Sequence, residues 1–373
     1  MIVLIAQLEA AGTNLTLTLP GRPPIELGRR PGAATVQFYD AADLASLARR
    51  DHLGLAEAYL AGRIDVAGDW QQVMKVSEAI APDPTRLERW RFAARMLLRG
   101  ARRVRRESIA FHYDRPPEFF LPWFERWRSY SHGFYPTPET PAAEAQARKL
   151  QYAIDRLGLK PGMEVFDMGC GWGAFLEFAG LQGIRVHGIT ISPVQQAFVQ
   201  QLIDEKQLPA RVELVDFADF RPGRRFDGAV FMGTLEHFSQ FGYAARFLAR
   251  HLAPDARLYA DFCSARGVHQ VGAFLAKHIW PGTANYVDLP KLVSALLREG
   301  FNIHELVDDT QNYAYTVRDW ADALDRVHAE MEARWGREPV RAFQLFLRSS
   351  QYFLSHNKVQ GYHLVAGREP ARA

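Results

Sequence analysis

The sequence predicts an α/β protein, a parallel sheet covered by helices on both faces, preceded by a small α+β module. Three observations carry that prediction. Strand-like apolar runs at 164–168, 184–190, 212–215 and 226–232 alternate with helical stretches at 174–181 and 193–206, the rhythm of strand–helix–strand units. The first of these strands, Glu164-Val165-Phe166-Asp167-Met168, stops at a carboxylate and enters the glycine-spaced turn Gly169-Cys170-Gly171-Trp172-Gly173. Residues 12–40 lack this rhythm and carry short β-like pieces such as Leu15-Thr16-Leu17-Thr18-Leu19, broken by Pro and Gly turns.

The glycine turn reads as a nucleotide-binding turn, because glycine lets backbone approach a ligand closely and the next helix points free N–H groups above the strand. On spacing alone, an ordinary strand-to-helix turn explains it equally well; the repeated alternation around it favours the ligand loop. Such sheets bind ligands at the carboxyl ends of their strands. The second strand ends in Gly188-Ile189-Thr190-Ile191-Ser192, with no acidic residue for the ribose of NAD, and no GxxxxGK[ST] occurs. A dinucleotide and a P-loop nucleotide are both disfavoured.

At 373 residues, the expected division is a small α+β domain at 1–98 for packing or lipid presentation, a basic linker at 99–107, and the α/β domain at 108–373. A net charge of +3 is too small to argue for nucleic acid. Arg99, Arg102, Arg103, Arg105 and Arg106 cluster in the linker, either as a solvated face or as a contact for anionic lipid headgroups. Two cysteines without CxxC or CxxH spacing support neither a disulfide framework nor a zinc site, and no metal is expected. No basic leader, cleavage site or membrane-length apolar run stands out, so the expectation is a cytoplasmic protein attached peripherally to the inner membrane face.

In chain order, helical stretches at 41–50 and 52–63 close onto a short strand at 64–66. The aromatic run Phe119-Phe120-Leu121-Pro122-Trp123-Phe124-Glu125-Arg126-Trp127 is either core packing or a lid over an apolar substrate. Glu236-His237 follows the fourth strand of the sheet, at the edge where chemistry is expected; the alternative is a capping acid beside a surface histidine. A strand at 256–262, an irregular insertion at 264–289, a helix at 290–299, a strand at 301–307, two helices across 317–356 and a strand at 359–366 complete the sheet.

Together, Phe111-His112-Tyr113-Asp114, Tyr130-Ser131, Leu159-Lys160-Pro161-Gly162-Met163 leading into the glycine turn, Gly188-Ile189-Thr190-Ile191-Ser192 with Gln195, and Glu236-His237 resemble one family, the cyclopropane fatty acyl phospholipid synthases and their relatives the mycolic acid methyltransferases. The likeness covers nearly the whole chain, and the combination is specific where each piece alone is not. It implies a Rossmann-like, seven-stranded class I methyltransferase domain that binds S-adenosylmethionine. By the resemblance, Tyr130 and Ser131 touch the methionine end of that cofactor, Gly169 and Gly171 form its backbone approach, and Asp167 is one of the cofactor-binding residues. Thr190 and Gln195 take the ribose and adenine side, and Asp216 with Phe217 lies beside the adenine.

Family members methylate a carbon–carbon double bond in an acyl chain already attached to a lipid, so phospholipid acyl chains at a membrane surface are the implied partner. An alkene is a poor nucleophile that must be held in line with the methyl group in a dry slot, and a base must then remove a proton. In the family that base is thought to be bicarbonate, held by a Glu, a His, a Cys and a Tyr. Glu236 matches and Tyr313 is a plausible match; where the family has Tyr-Ser-Cys this chain reads Tyr130-Ser131-His132, and where a His follows the fifth strand it reads Tyr259-Ala260-Asp261. The departures put ring closure and bicarbonate binding in doubt, not methyl transfer. Either His132 rebuilds the base site and a cyclopropane forms, or the proton leaves a neighbouring carbon and a methyl branch beside a retained double bond results. Two other readings stay open: a class I methyltransferase for another small apolar or amine substrate, and a non-catalytic lipid-binding protein. Oligomeric state, a homo-oligomer included, is left open as well.

Overall fold

The computed structural model describes residues 8–9, 12–29, 32–80, 115–238, 240–265, 272–280 and 286–368. The 99–107 linker with its arginines, Phe111-His112-Tyr113-Asp114, the first seven residues and residues 281–285 of the insertion lie outside the described residues.

The N-terminal module is a four-stranded sheet in the order β2 (Arg22–Leu27), β1 (Leu15–Leu19), β3 (Ala34–Phe38), β4 (Ile64–Gly68). Leu15, Leu17 and Leu19 alternate along β1 and are all buried, the period of two that a half-buried strand requires. Helices α1 (His52–Leu60) and α2 (Trp70–Ile80) follow, α1 capped by the Asp51 side chain, which accepts the Gly54 N–H.

The second sheet has seven strands in the order β10 (Asn302–Asp308), β11 (Val359–Gly367), β9 (Leu252–Ala265), β8 (Phe226–Met232), β5 (Glu164–Met168), β6 (Arg185–Thr190), β7 (Ala210–Leu214). Central β5 is buried along its whole length, as a strand covered on both faces must be. Neighbours from β9 to β7 pair parallel, but β11 runs antiparallel to both β9 and β10. The strands at 164–232 pair parallel as the sequence predicts, and the sheet departs from that only at this edge. One crossover helix returns a chain parallel; two helices in succession, α8 (Thr310–Trp335) and α9 (Arg337–Ser355), bring it back to the end it left, so β11 pairs antiparallel. Helix α8 also starts earlier than the expected position 317, which puts Tyr313 on a helix. Of the remaining helices, α3 (Ala142–Leu157) precedes β5, α4 (Ala174–Gly180) and α5 (Pro193–Lys206) flank β6, and α6 (Phe241–His251) and α7 (Leu289–Arg298) lie between β8 and β10.

The aromatic run is core, not lid. Phe119, Phe120 and Trp123 are buried in one continuous cluster with Leu15 and Tyr59 of the N-terminal module and Trp320 and Phe343 of α8 and α9. Phe119 meets Phe343 edge-on at 5.0 Å between centroids, and the Trp123 Nε1–H donates to the Phe119 carbonyl at 2.7 Å. Truncating Trp123 leaves a large void between module and sheet. Trp123→Ala is expected to lower the free energy of unfolding by about 3–5 kcal/mol in urea titration; a loss below about 1 kcal/mol would show that the run does not carry the core.

Candidate active site

The carboxyl ends of β5, β6 and β8 open onto one pocket. Gly169 and Gly171 turn the chain there with φ of 75° and 53°, a region that side chains avoid. A Cβ on Gly169 would lie 2.5 Å from Thr234 Cγ2, whereas one on Gly171 would meet nothing within 4 Å, so the backbone at Gly171 faces space that a ligand can fill. Tyr130, Ser131, Asp167, Gly169, Gly171, Thr190, Gln195, Asp216 and Phe217, spread over 88 positions of sequence from 130 to 217, all line this pocket. Neighbours hold them in place. The Thr190 hydroxyl donates to Gln195 Oε1 at 2.9 Å, Ser192 caps α5 by accepting the Gln195 N–H, and Asp216 Oδ1 accepts the Ala218 N–H at 2.9 Å. Phe217 packs edge-on against Phe238 and Phe247.

Beneath Ser131 lies a charged floor that the sequence reading missed. Lys149, with no exposed surface, donates to the Ser129 hydroxyl at 2.9 Å and to the Ser131 hydroxyl at 2.7 Å, and sits 3.6 Å from Asp261 Oδ2. Ser131 in turn donates to Asp261 Oδ2, and Asp261 Oδ1 accepts the Gly233 N–H at 2.9 Å. Burial lowers the Lys149 pKa while Asp261 works to raise it. Burial pushes the nearby Asp167 carboxyl up to about 7, with Lys149 opposing and Asp261 adding to the rise. A signal was present: Lys149 belongs to the buried stripe Ala145, Gln146, Lys149, Leu150, Ala153 of α3.

Glu236, Tyr313 and His132 are not on the pocket wall. Glu236 lies in a short turn after β8, its Oε1 accepting the Cys263 N–H of β9 at 2.6 Å. The residue is half-buried, but its Oε2 is sealed from solvent with no hydrogen-bond partner among the described residues, and burial pushes its carboxyl up to about 8. The Tyr313 hydroxyl bonds the Cys263 thiol, and burial raises both groups well above their ordinary values. Cys263 is thus a third member beside Glu236 and Tyr313 that spacing did not reveal. The pocket wall adds His237, whose ring lies 4.8 Å from that of Trp280 at a 43° tilt. His132 instead pairs with Asp309 at 3.0 Å, and Asp261, at the position where the resemblance expects a histidine, belongs to the lysine floor.

The family model of mycolic acid cyclopropane synthetase matches residues 101–364. The chain belongs to that family. A "probable fatty acid methyltransferase" of Mycobacterium tuberculosis is 26% identical over 301 residues, covering 79% of this chain and 70% of the relative. Cyclopropane mycolic acid synthase MmaA2 of the same organism is 30% identical over 261 residues, covering 65% of this chain and 90% of the relative. The solved structure of MmaA2 aligns with a TM-score of 0.66 at 25% identity over 70% of this chain and 98% of its own. Cyclopropane synthase CmaA1, solved with SAH and CTAB, aligns with a TM-score of 0.65 at 24% identity over 70% of this chain and 97% of its own, a likeness of fold.

This family member is a methyltransferase dependent on S-adenosylmethionine. The pocket suits that cofactor, because the backbone at Gly171 leaves room where a side chain would project, and its walls carry hydroxyls, amides and carboxylates for a polar ligand. Among the described residues, no helix is long and apolar enough to cross a membrane.

Two substitutions test the site. Lys149→Met leaves Asp261 buried without its cation, and is expected to lower stability by about 3–5 kcal/mol and to weaken cofactor binding measured by calorimetry; unchanged affinity would make the floor a packing feature only. Glu236 holds its proton more tightly when folded than the ordinary carboxyl of 4.5, so the stability this contributes is complete below that value and lost as pH rises through about 8. Glu236→Gln should remove this fall, which runs at about 1.4 kcal/mol for each pH step of one between those two values, spare cofactor binding and nearly abolish turnover. Parallel stability curves for the two proteins between about pH 5 and 8 would reject the assignment.

Proposed function

We propose that this protein transfers a methyl group from S-adenosylmethionine to the double bond of an unsaturated fatty acyl chain in a phospholipid, acting at the inner membrane face. The observation that carries the reading is the cluster beside the pocket in which Glu236 Oε1 accepts the Cys263 N–H and Oε2 is buried. Glu236, Cys263 and Tyr313 all have burial holding them in their protonated forms at neutral pH, an environment that tolerates an apolar chain and is low in competing water.

Bound S-adenosylmethionine supplies an electrophilic methyl group. The chain's own residues do the rest. The lysine floor fixes Ser131 and Gly233 at one end of the pocket, and Thr190 with Gln195 fixes the other. His237 and Trp280 offer ring faces near the wall, suited to a developing carbocation. Glu236 Oε2, buried and unpartnered, is the atom able to hold a small oxyanion such as bicarbonate by donating its proton. The arginines of the 99–107 linker would add about 1 kcal/mol each toward anionic headgroups.

A specific observation favours a second product. Asp261 is committed to Lys149, Ser131 and Gly233 and offers no imidazole to a bicarbonate site, so deprotonation at a neighbouring chain carbon, giving a methyl branch beside a retained double bond, competes with ring closure. The deciding experiment incubates the protein with methyl-labelled S-adenosylmethionine and unsaturated phospholipid vesicles, then localises double bonds in the products by mass spectrometry. A gain of one CH2 as either a ring or a branch supports the reading; label appearing in soluble amines and not in lipid would replace it with the small-substrate alternative.

A further inference from the structure

Among the described residues, four other than glycine hold their backbone in the left-handed region. Three of them, Arg50, Gln207 and Asn357, stand at or just past the end of a helix, where that conformation is a common cap. Arg128, at φ 61°, ends no helix. It closes a turn, its N–H donating to the Glu125 carbonyl at 2.9 Å, and leads directly into Ser129-Tyr130-Ser131 on the pocket wall. A strained backbone beside a ligand pocket persists only where its surroundings hold it there.

The Arg128 side chain supplies that hold. Its Nε donates to the Trp172 carbonyl in the glycine turn at 3.3 Å, one terminal nitrogen donates to the Arg126 carbonyl at 2.7 Å, and the other pairs with Glu177 on α4. Glu177 is 1% exposed, and its second oxygen is bonded to Lys206 at the end of α5. Burial works to raise the Glu177 carboxyl, but the hydrogen bonds from Lys206 and Arg128 bring it below its ordinary value. Glu177 thus stays an anion, and its pull on the guanidinium offsets the strain at Arg128. A planar fork reaches a carbonyl and a carboxylate in different directions, which a single ammonium does not. Neighbours fix the rest of the loop: Glu125 accepts the Trp127 and Ser129 N–H groups, and the Trp127 ring meets Phe178 of α4 edge-on at 4.9 Å. The loop at 129–131 and the glycine turn are two parts of one pocket wall, and Arg128 joins them through its side chain.

We propose that Arg128 is a positioning residue for the cofactor, holding the loop at 129–131 against the glycine turn so that both meet the methionine end of S-adenosylmethionine. The proposal rests on the orientation that the family resemblance implies, with Tyr130 and Ser131 at that end. Arg128 acts through the loop and needs no contact of its own with the cofactor. With Arg128 truncated, Glu177 keeps Lys206 as its cation, so the fold survives while the loop loses its tie. The loss then falls on binding, because the cofactor must order a loop that the parent protein holds ready.

The test reads binding by calorimetry on the full chain with two ligands, S-adenosylhomocysteine and methylthioadenosine, which carries the adenosine and its sulfur without the amino-acid part. Arg128→Asn keeps a residue that tolerates the left-handed backbone and removes the fork. It is expected to weaken S-adenosylhomocysteine binding about tenfold or more, the scale of one charge-assisted hydrogen bond, and to leave methylthioadenosine affinity within about twofold of the parent. Arg128→Lys, which restores the charge beside Glu177 without the fork, should recover part of that loss. Glu177→Gln is a second variant for the case that Arg128→Asn does not fold, and it too should weaken S-adenosylhomocysteine selectively. A folded Arg128→Asn, or Glu177→Gln in its place, that binds S-adenosylhomocysteine within about twofold of the parent overturns the proposal alone. Equal losses for both ligands would set the adenosine against this loop, which rejects the implied orientation and the proposal with it.

Discussion

Lys149 has no contact with solvent, and the Ser131 end of the pocket depends on how its charge is met. A buried ammonium survives only when anions and hydrogen-bond acceptors surround it. Here Ser129, Ser131 and Asp261 do so, and each is thereby fixed. Asp261 then holds the Gly233 N–H, which ties β9 to the turn after β8. A helix, a loop and two strands meet at one charge, and the cofactor pocket takes its shape from that meeting.

The same principle separates the two clusters of ionisable groups beside the pocket. Around Glu236, burial without a nearby cation drives every group toward its neutral form. Around Asp309, hydrogen bonds from two histidines oppose burial and hold the carboxyl below its ordinary range. Neighbouring regions of one fold thus set their carboxyls in opposite directions, because one is met by hydrogen-bond donors and the other by burial alone. The departures from the family pattern at 132 and 261 fall on these networks: His132 joins Asp309, and Asp261 joins Lys149. At both positions the side chain has buried polar partners.

The N-terminal module contributes by packing. Its leucines and Tyr59 continue into the cluster formed by the aromatic run and the helices after β10. Tyr130, on the pocket wall, lies 5.2 Å from both Phe124 and Trp320, so the same aromatic mass that joins the module to the sheet also backs the pocket.

The alternation of strands and helices and the glycine turn were legible in the sequence because they depend on local periodicity and on a motif contiguous in the chain, while the nine pocket-lining positions came from the family resemblance. Gly169 and Gly171 need only their own backbone angles, and Thr190 reaches Gln195 within one turn of helix. The antiparallel placement of β11 was not legible, since it follows from two long helices cancelling one crossover. Nor were the partnerships of Lys149 with Asp261, Glu236 with Cys263, and His132 with Asp309 and His363. Those pairs lie 112, 27, 177 and 231 positions apart in sequence, and no periodicity links them. Sequence alone determined where the strands end and the glycine turn begins; only tertiary structure decided which charges meet, because a buried group's protonation is set by neighbours that folding, and not chain order, brings near.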